Sequence, residues 1–141
     1  MEQTIALPNP RQESRCSVEG ALAGRRSARE FTDGPLSLED IGQLLWAAQG
    51  MTHGDGLRTA PSAGALYPLE LYLAVGRVNG LEPGVYHYQP GKHRLRKGIN
   101  GDRRAALSNA ALGQPWVEEN AAVLIFSAVE SRTSEKYGRR A

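Results

Sequence analysis

Residues 60–76 read APSAGALYPLELYLAVG, two kinds of sequence joined without a gap. The second half, Leu69 to Gly76, alternates like a strand, with its leucines and an alanine expected on one face. The first half is small residues and prolines, which build no core. A run of that kind directly ahead of a strand suits something flat and large that lies against the backbone, because small side chains let the main chain approach closely.

The elements on either side place this stretch in an α+β fold. Downstream, EPG at 82–84 is a turn into the strand-like VYHYQ, and PGKH turns again into RLRKG, the spacing of an antiparallel meander. Asp102 to Leu112 predicts a helix ended by Gly113 and Pro115, and Ala121 to Val129, rich in Val, Ile and Phe, predicts a buried strand. Upstream, Ser37 caps a clear helix over 38–49, with Asp40 completing a capping-box pattern. Its expected buried stripe is Ile41, Leu44, Leu45 and Ala48, and Gly50 stops it. Ser17 to Gly24 predicts a shorter helix, capped by Ser17 with Glu19 in its first turn. Residues 1–16 carry Pro8 and Pro10 without periodicity and read as an extended arm, leaving 17–141 as the domain proper. No internal repeat is visible.

Composition narrows the class. A chain of 141 residues fits one domain with a real core. Seventeen basic against 15 acidic residues give a net charge of +2, too small an excess for a nucleic-acid binder. The single Cys16 excludes an internal disulfide and suits a reducing, cytoplasmic setting. The opening MEQTIALPNPR is polar and broken by prolines, unlike a leader, and the longest apolar run, Ala121 to Val129, is too short for a membrane span.

Few residues carry chemistry on their own. GRRSARE, 24–30, sets Arg25, Arg26 and Arg29 around Ser27, a grouping that suits a phosphate, although spacing alone favours a solvated basic turn. His53, His87 and His93 have neither a helical pairing nor a partner cysteine, so no metal site is expected and all three read as structural or solvent-facing. Gly54-Asp55-Gly56 follows a helix and lacks the third glycine of a dinucleotide fingerprint. No phosphate-binding P-loop and no nucleophile elbow occur. SEKYGRRA, 134–141, sets Lys136 beside Tyr137, either a solvated surface pair or a proton-transfer pair, and the residues alone leave both open.

Taken in order, RRSAREF (25–31), SLEDIGQLLWAAQG (37–50), APSAGALYPLELYLAV (60–75), GLEPGVYHYQPGKHRLR (80–96) and KYGRRA (136–141) resemble the nitroreductase superfamily. Within it they look like the SagB-type, or azoline dehydrogenase, branch, and the resemblance runs from about Gly20 to the last residue. It implies a mostly antiparallel sheet flanked by helices and FMN at a homodimer interface. Pro61, Ser62, Ala63 and Gly64 would then form the loop that one subunit lends to the flavin held by the other. Arg25, Arg26 and Ser27 fall at the family's segment for the FMN phosphate and ribityl chain. Arg29 falls where the family often has a cation near the pyrimidine side, a charge that would stabilise the reduced ring.

The same resemblance assigns Lys136 and Tyr137 the Lys-Tyr pair that helps remove a proton as hydride leaves for the flavin. The substrate would be a thiazoline or oxazoline ring in a modified peptide, with Tyr67 a substrate-side contact by position. Two other outcomes stand beside it: a general NAD(P)H-dependent nitroreductase-like flavoprotein acting on small molecules, or a truncated, non-catalytic binding subunit. The family pattern continues past the Lys-Tyr segment with further helices and a strand. The chain is therefore expected to lack that C-terminal part, leaving apolar faces on the 38–49 helix and the 121–129 strand uncovered.

Overall fold

The computed structural model describes residues 3–140, with the side chain of Arg140 left aside. Five strands form one sheet: β1 (Thr4–Ala6), β2 (Leu69–Val75), β3 (Gly84–Gln89), β4 (Arg94–Asn100) and β5 (Ala122–Ala128). Five helices accompany them: α1 (Val18–Gly24), α2 (Leu38–Gln49), α3 (Arg104–Ala110), α4 (Pro115–Glu119) and α5 (Ser131–Tyr137). The sheet order is β1-β4-β3-β2-β5, antiparallel at every pairing. The meander expected from the turns is β2-β3-β4. One extra residue, Gly98, shifts the β3–β4 register between Val85 and Tyr86.

One face of the sheet makes the core. Leu71, Leu73 and Val75 of β2 line up with Tyr86 and Tyr88 of β3 and Leu95 of β4, all nearly sealed from solvent. Ile41 and Leu45 of α2 close over them. Leu-to-Ala truncation at such sites typically costs about 2–5 kcal/mol, so α2 is held by burial more than by its own propensity. Ser37 caps it, accepting from the Asp40 N–H at 3.0 Å while donating to the Asp40 carboxylate at 2.7 Å. Gly50 ends it in extended geometry rather than a left-handed cap, and the residue is glycine because the Trp46 ring occupies the space a Cβ would need.

Several sequence expectations need correction. Leu44 does not join the buried stripe of α2. It is 48% exposed, and Gly42 and Gln49 are buried instead, so the helix meets the sheet along a face rotated away from Leu44. Ala74 is buried but lies opposite Leu73 and Val75, since strand side chains alternate. The 121–129 strand is not a buried one: β5 is an edge strand, half-buried over Ala122–Ile125 and exposed from Phe126 on. Pro115 does not merely end the preceding helix but opens α4 at its first turn, where a missing N–H costs nothing. Within the extended segment 1–16, Thr4–Ala6 adds the edge strand β1 by pairing with Arg94–Arg96.

Candidate functional site

The small-residue stretch becomes a tightly turned loop. Gly64, Ala65 and Tyr67 all take positive φ, at 64°, 53° and 44°. Glycine adopts that region freely, whereas for Ala65 and Tyr67 it stores strain of about 1–3 kcal/mol each, a feature that concentrates at functional sites. The loop holds itself in shape: the Tyr67 N–H donates to the Ser62 hydroxyl at 2.8 Å, and the Ala65 N–H donates to the Ser62 carbonyl at 3.0 Å. Pro61, Ser62 and Ala63 line a cleft of about 250 Å³ with Gln49, Tyr67 and Leu69. The Arg58 guanidinium lies 4.4 Å over the Tyr67 ring and donates to the Gln49 side-chain oxygen at 3.2 Å.

Lys136 and Tyr137 come to this loop from the far end of the sequence. β5 pairs with β2 so that Ala128 faces Leu69, and the Val129 N–H donates to the Pro68 carbonyl at 2.8 Å. Helix α5 therefore starts beside the loop. A Cβ placed on Gly64 would lie 2.7 Å from the Tyr137 hydroxyl and 2.8 Å from the Lys136 ammonium. The glycine is what lets those two polar ends reach the loop backbone, and the ammonium also sits 5.4 Å from the Tyr137 ring centroid.

One arginine holds α5 at that distance. Arg132 donates to the Tyr67 carbonyl at 2.9 Å and pairs with the Glu70 carboxylate at 2.5 Å. The second Glu70 oxygen meets the His87 Nε2 at 2.5 Å, and His87 leans against Tyr72, ring centroids 4.9 Å apart. Burial pushes the Glu70 carboxyl up, but the hydrogen bonds from His87 and Arg132 and their charges outweigh it and hold it below its ordinary value. Sequence reading missed Glu70, Arg132 and Arg58. Glu70 showed only as an outward polar position of an alternating strand, and Arg132 becomes a neighbour only once β5 pairs with β2.

The basic segment lies elsewhere. Arg25, Arg26, Ser27 and Arg29 are all exposed at the end of α1 and just beyond it. Arg26 folds back on its own helix end, donating to the Ala23 and Arg25 carbonyls at 2.9 and 2.7 Å. Arg29 lies 5.5 Å from the Trp116 ring centroid of α4. Among the described residues, no hydrogen bond, ion pair or ring contact joins this segment to the Pro61–Gly64 loop. His53 is exposed beside Asp55, while His93 is held between the Tyr88 hydroxyl and the Pro8 carbonyl. Among the described residues no group of three or more His, Cys, Asp or Glu could hold a metal ion, and no helix is long and apolar enough to cross a membrane.

The Nitroreductase family model matches residues 22–141, which takes in the basic segment, the small-residue loop and the Lys-Tyr pair. The chain belongs to the nitroreductase family. A candidate nitroreductase of Methanocaldococcus jannaschii is 42% identical over 123 residues, covering 87% of this chain and 62% of that protein. The trifolitoxin-processing protein TfxB of Rhizobium leguminosarum is 45% identical over 69 residues, 43% of this chain and 18% of its own length. Among solved structures, a candidate nitroreductase of Ralstonia eutropha superposes with a TM-score of 0.78 at 34% identity, covering 94% of this chain and 59% of that one. The chain thus spans less than two thirds of the length of these relatives, and its antiparallel sheet with flanking helices is the family's fold.

Proposed function

We propose that the chain is part of an FMN-dependent oxidoreductase that oxidises thiazoline or oxazoline rings of a modified peptide to azoles. The observation that carries this reading is the contact at Gly64, which unites the small-residue loop with both polar ends of the Lys-Tyr pair. The loop suits the edge of a flat ring: it is built of small residues, it turns sharply, and it borders a cleft. When bound, FMN supplies a two-electron, hydride-accepting ring. Pro61 to Gly64 would hold that ring's edge, and Lys136 Nζ, in its neutral amine form, would accept the one proton released from the azoline carbon, with Tyr137 Oη beside it at the loop. Help of that kind is typically worth about two to four powers of ten in rate.

Arg25, Arg26 and Ser27 bind the phosphate and ribityl chain in this reading, and Arg29 faces the pyrimidine side. Their separation from the loop within one chain supports a homodimer, in which each flavin takes its phosphate side from one subunit and its ring side from the other. The name of TfxB, a processing protein, favours action on a modified product, whereas the candidate nitroreductase of M. jannaschii favours a second reading, NAD(P)H-driven reduction of small electron acceptors. The setting that a lone cysteine suits is the reducing cytoplasm.

The deciding experiment is a visible spectrum of the purified chain before and after FMN addition and desalting. Retained flavin bands are expected, and Arg26→Ala should weaken FMN in a titration. A chain that stays colourless would sink the reading and leave a binding subunit. With flavin bound, oxidation of an azoline peptide separates the first reading from the second, in which NADPH bleaches the flavin. Lys136→Ala should keep the flavin and slow oxidation. Lost flavin would move Lys136 to the cofactor shell.

A further inference from the structure

The β2–β3 ladder ends at Tyr72 opposite His87, yet β2 extends back to Leu69 and β3 on to Gln89. Beyond that pair the two strands keep partners only on their outer sides, β2 with β5 and β3 with β4. The fork between them opens a cleft of about 390 Å³. Strand edges facing each other across such a gap are the feature an extended peptide uses when it binds by main-chain hydrogen bonds.

The lining of the fork is lopsided in charge. Arg58, Lys92 and Arg94 face a single carboxylate, Glu70, which is already engaged by His87 and Arg132. Gln49 and Gln89 occupy one nitrogen each of Arg58 and Arg94. Two further buried atoms of the lining, Arg58 Nε and His87 Nδ1, have no partner among the described residues. A buried N–H left unpaired, as at Arg58 Nε, costs more than a typical hydrogen bond returns, which favours a ligand that completes it. Neighbouring Tyr88 is too buried to ionise, its hydroxyl pushed up to about 12, so it adds no negative charge.

We infer that the fork binds an extended peptide segment carrying an acidic side chain, the strand edges taking its backbone and Arg58, Arg94 and Lys92 its carboxylate. This rests on the peptide-oxidase reading and names its substrate class: a precursor with an acidic residue near the ring to be oxidised. The fork shares Gln49 and Leu69 with the loop cleft, so a peptide seated there runs toward Pro61–Ala63 and Thr133 of α5, the helix that carries Lys136 and Tyr137.

The test uses the purified chain and a short dye-labelled peptide with adjacent Glu residues, beside its Gln twin, followed by fluorescence anisotropy at low salt. The Glu peptide should bind about tenfold or more tightly, the scale of one charge-assisted hydrogen bond. Arg94→Gln and Arg58→Gln should each erase that preference, with circular dichroism confirming the fold. Should Arg58→Gln fail to fold through loss of its stack on Tyr67, Arg94→Gln alone decides. Equal binding of the twin, no binding of either peptide, or a preference that survives in the folded variants would overturn the inference. Displacement of the peptide by FMN would also overturn it, by making the fork part of the flavin site. Visible spectra of the same samples report the flavin reading separately, so a colourless chain that selects the Glu peptide would refute that reading alone.

Discussion

Gly64 has a left-handed backbone and two polar side-chain ends within 3 Å of where a Cβ would stand. Alanine there would strain the loop and push the Lys136 ammonium and Tyr137 hydroxyl outward, because flexible tips yield before backbone does. A displacement near 1 Å at a reacting centre can cost about 10²-fold in rate. Gly64→Ala should therefore lower turnover by about that factor while melting within a few degrees of the parent, and an unchanged rate would remove the pair from the chemistry. Glu70 offers a test that needs no activity. Its folded carboxyl titrates below its ordinary value of 4.5, so its ionised form favours the fold above that pH and the contribution disappears as pH falls through the lowered folded value. The stability gap between parent and Glu70→Gln should be widest near neutrality and close in acid. A gap independent of pH would mean that His87 and Arg132 do not hold the carboxylate as described.

At the scale of elements, α5 is short, has no buried residue and carries both proposed proton-handling groups, so its position depends on tethers. Arg132 supplies the main one. Arg132→Gln should cost about 1 kcal/mol of stability, as for other half-exposed pairs, but should depress turnover much more, with Arg132→Lys restoring part of it. Equal losses in both readouts would make Arg132 a brace and nothing more. Elsewhere, the buried Arg104 guanidinium fills the space beside Gly76, bonded to Asp102 and to the Asn120 carbonyl. Gly76→Ala should cost about 1–3 kcal/mol by overpacking, read from a denaturant midpoint. Much of this architecture was legible. Ser17 and Ser37 marked their helix starts because capping is local chemistry, and the glycine- and proline-bearing turns marked the meander. What stayed hidden depends on distant partners. Leu44 has the right spacing for a buried stripe, yet it stands about half exposed, and β5 reads as a core strand by composition but lies at a sheet edge. The Lys-Tyr pair was ambiguous for the same reason, since its meaning comes from a loop more than 70 residues earlier in the chain.

The whole molecule leaves a large fraction of its design unpartnered. Every residue from Arg11 to Pro35 is exposed, α1 buries nothing, and its Val18 and Leu22 stand 73% and 70% open. Leu44 on α2 and Phe126 on β5 add further apolar surface. Helices this short are not stable alone in water, so α1 and its basic tail need a covering surface. A second copy would provide one and would also bring a phosphate-side segment to the Pro61–Gly64 loop. Sedimentation velocity should therefore show a dimer that dissociates on dilution, and Val18→Ser with Leu22→Ser should move the chain to monomer without unfolding the sheet. If FMN bridges the two copies, it binds the dimer alone, and linkage then requires it to tighten the dimer. At a free concentration about 100-fold above its Kd the gain is about 2.7 kcal/mol for each of the two flavins, or about ten-thousandfold in the dimer constant. Flavin that binds with no change in the association state would place the whole cofactor within one chain, and the separation of Arg25–Arg29 from the loop would then have to close by a movement of α1.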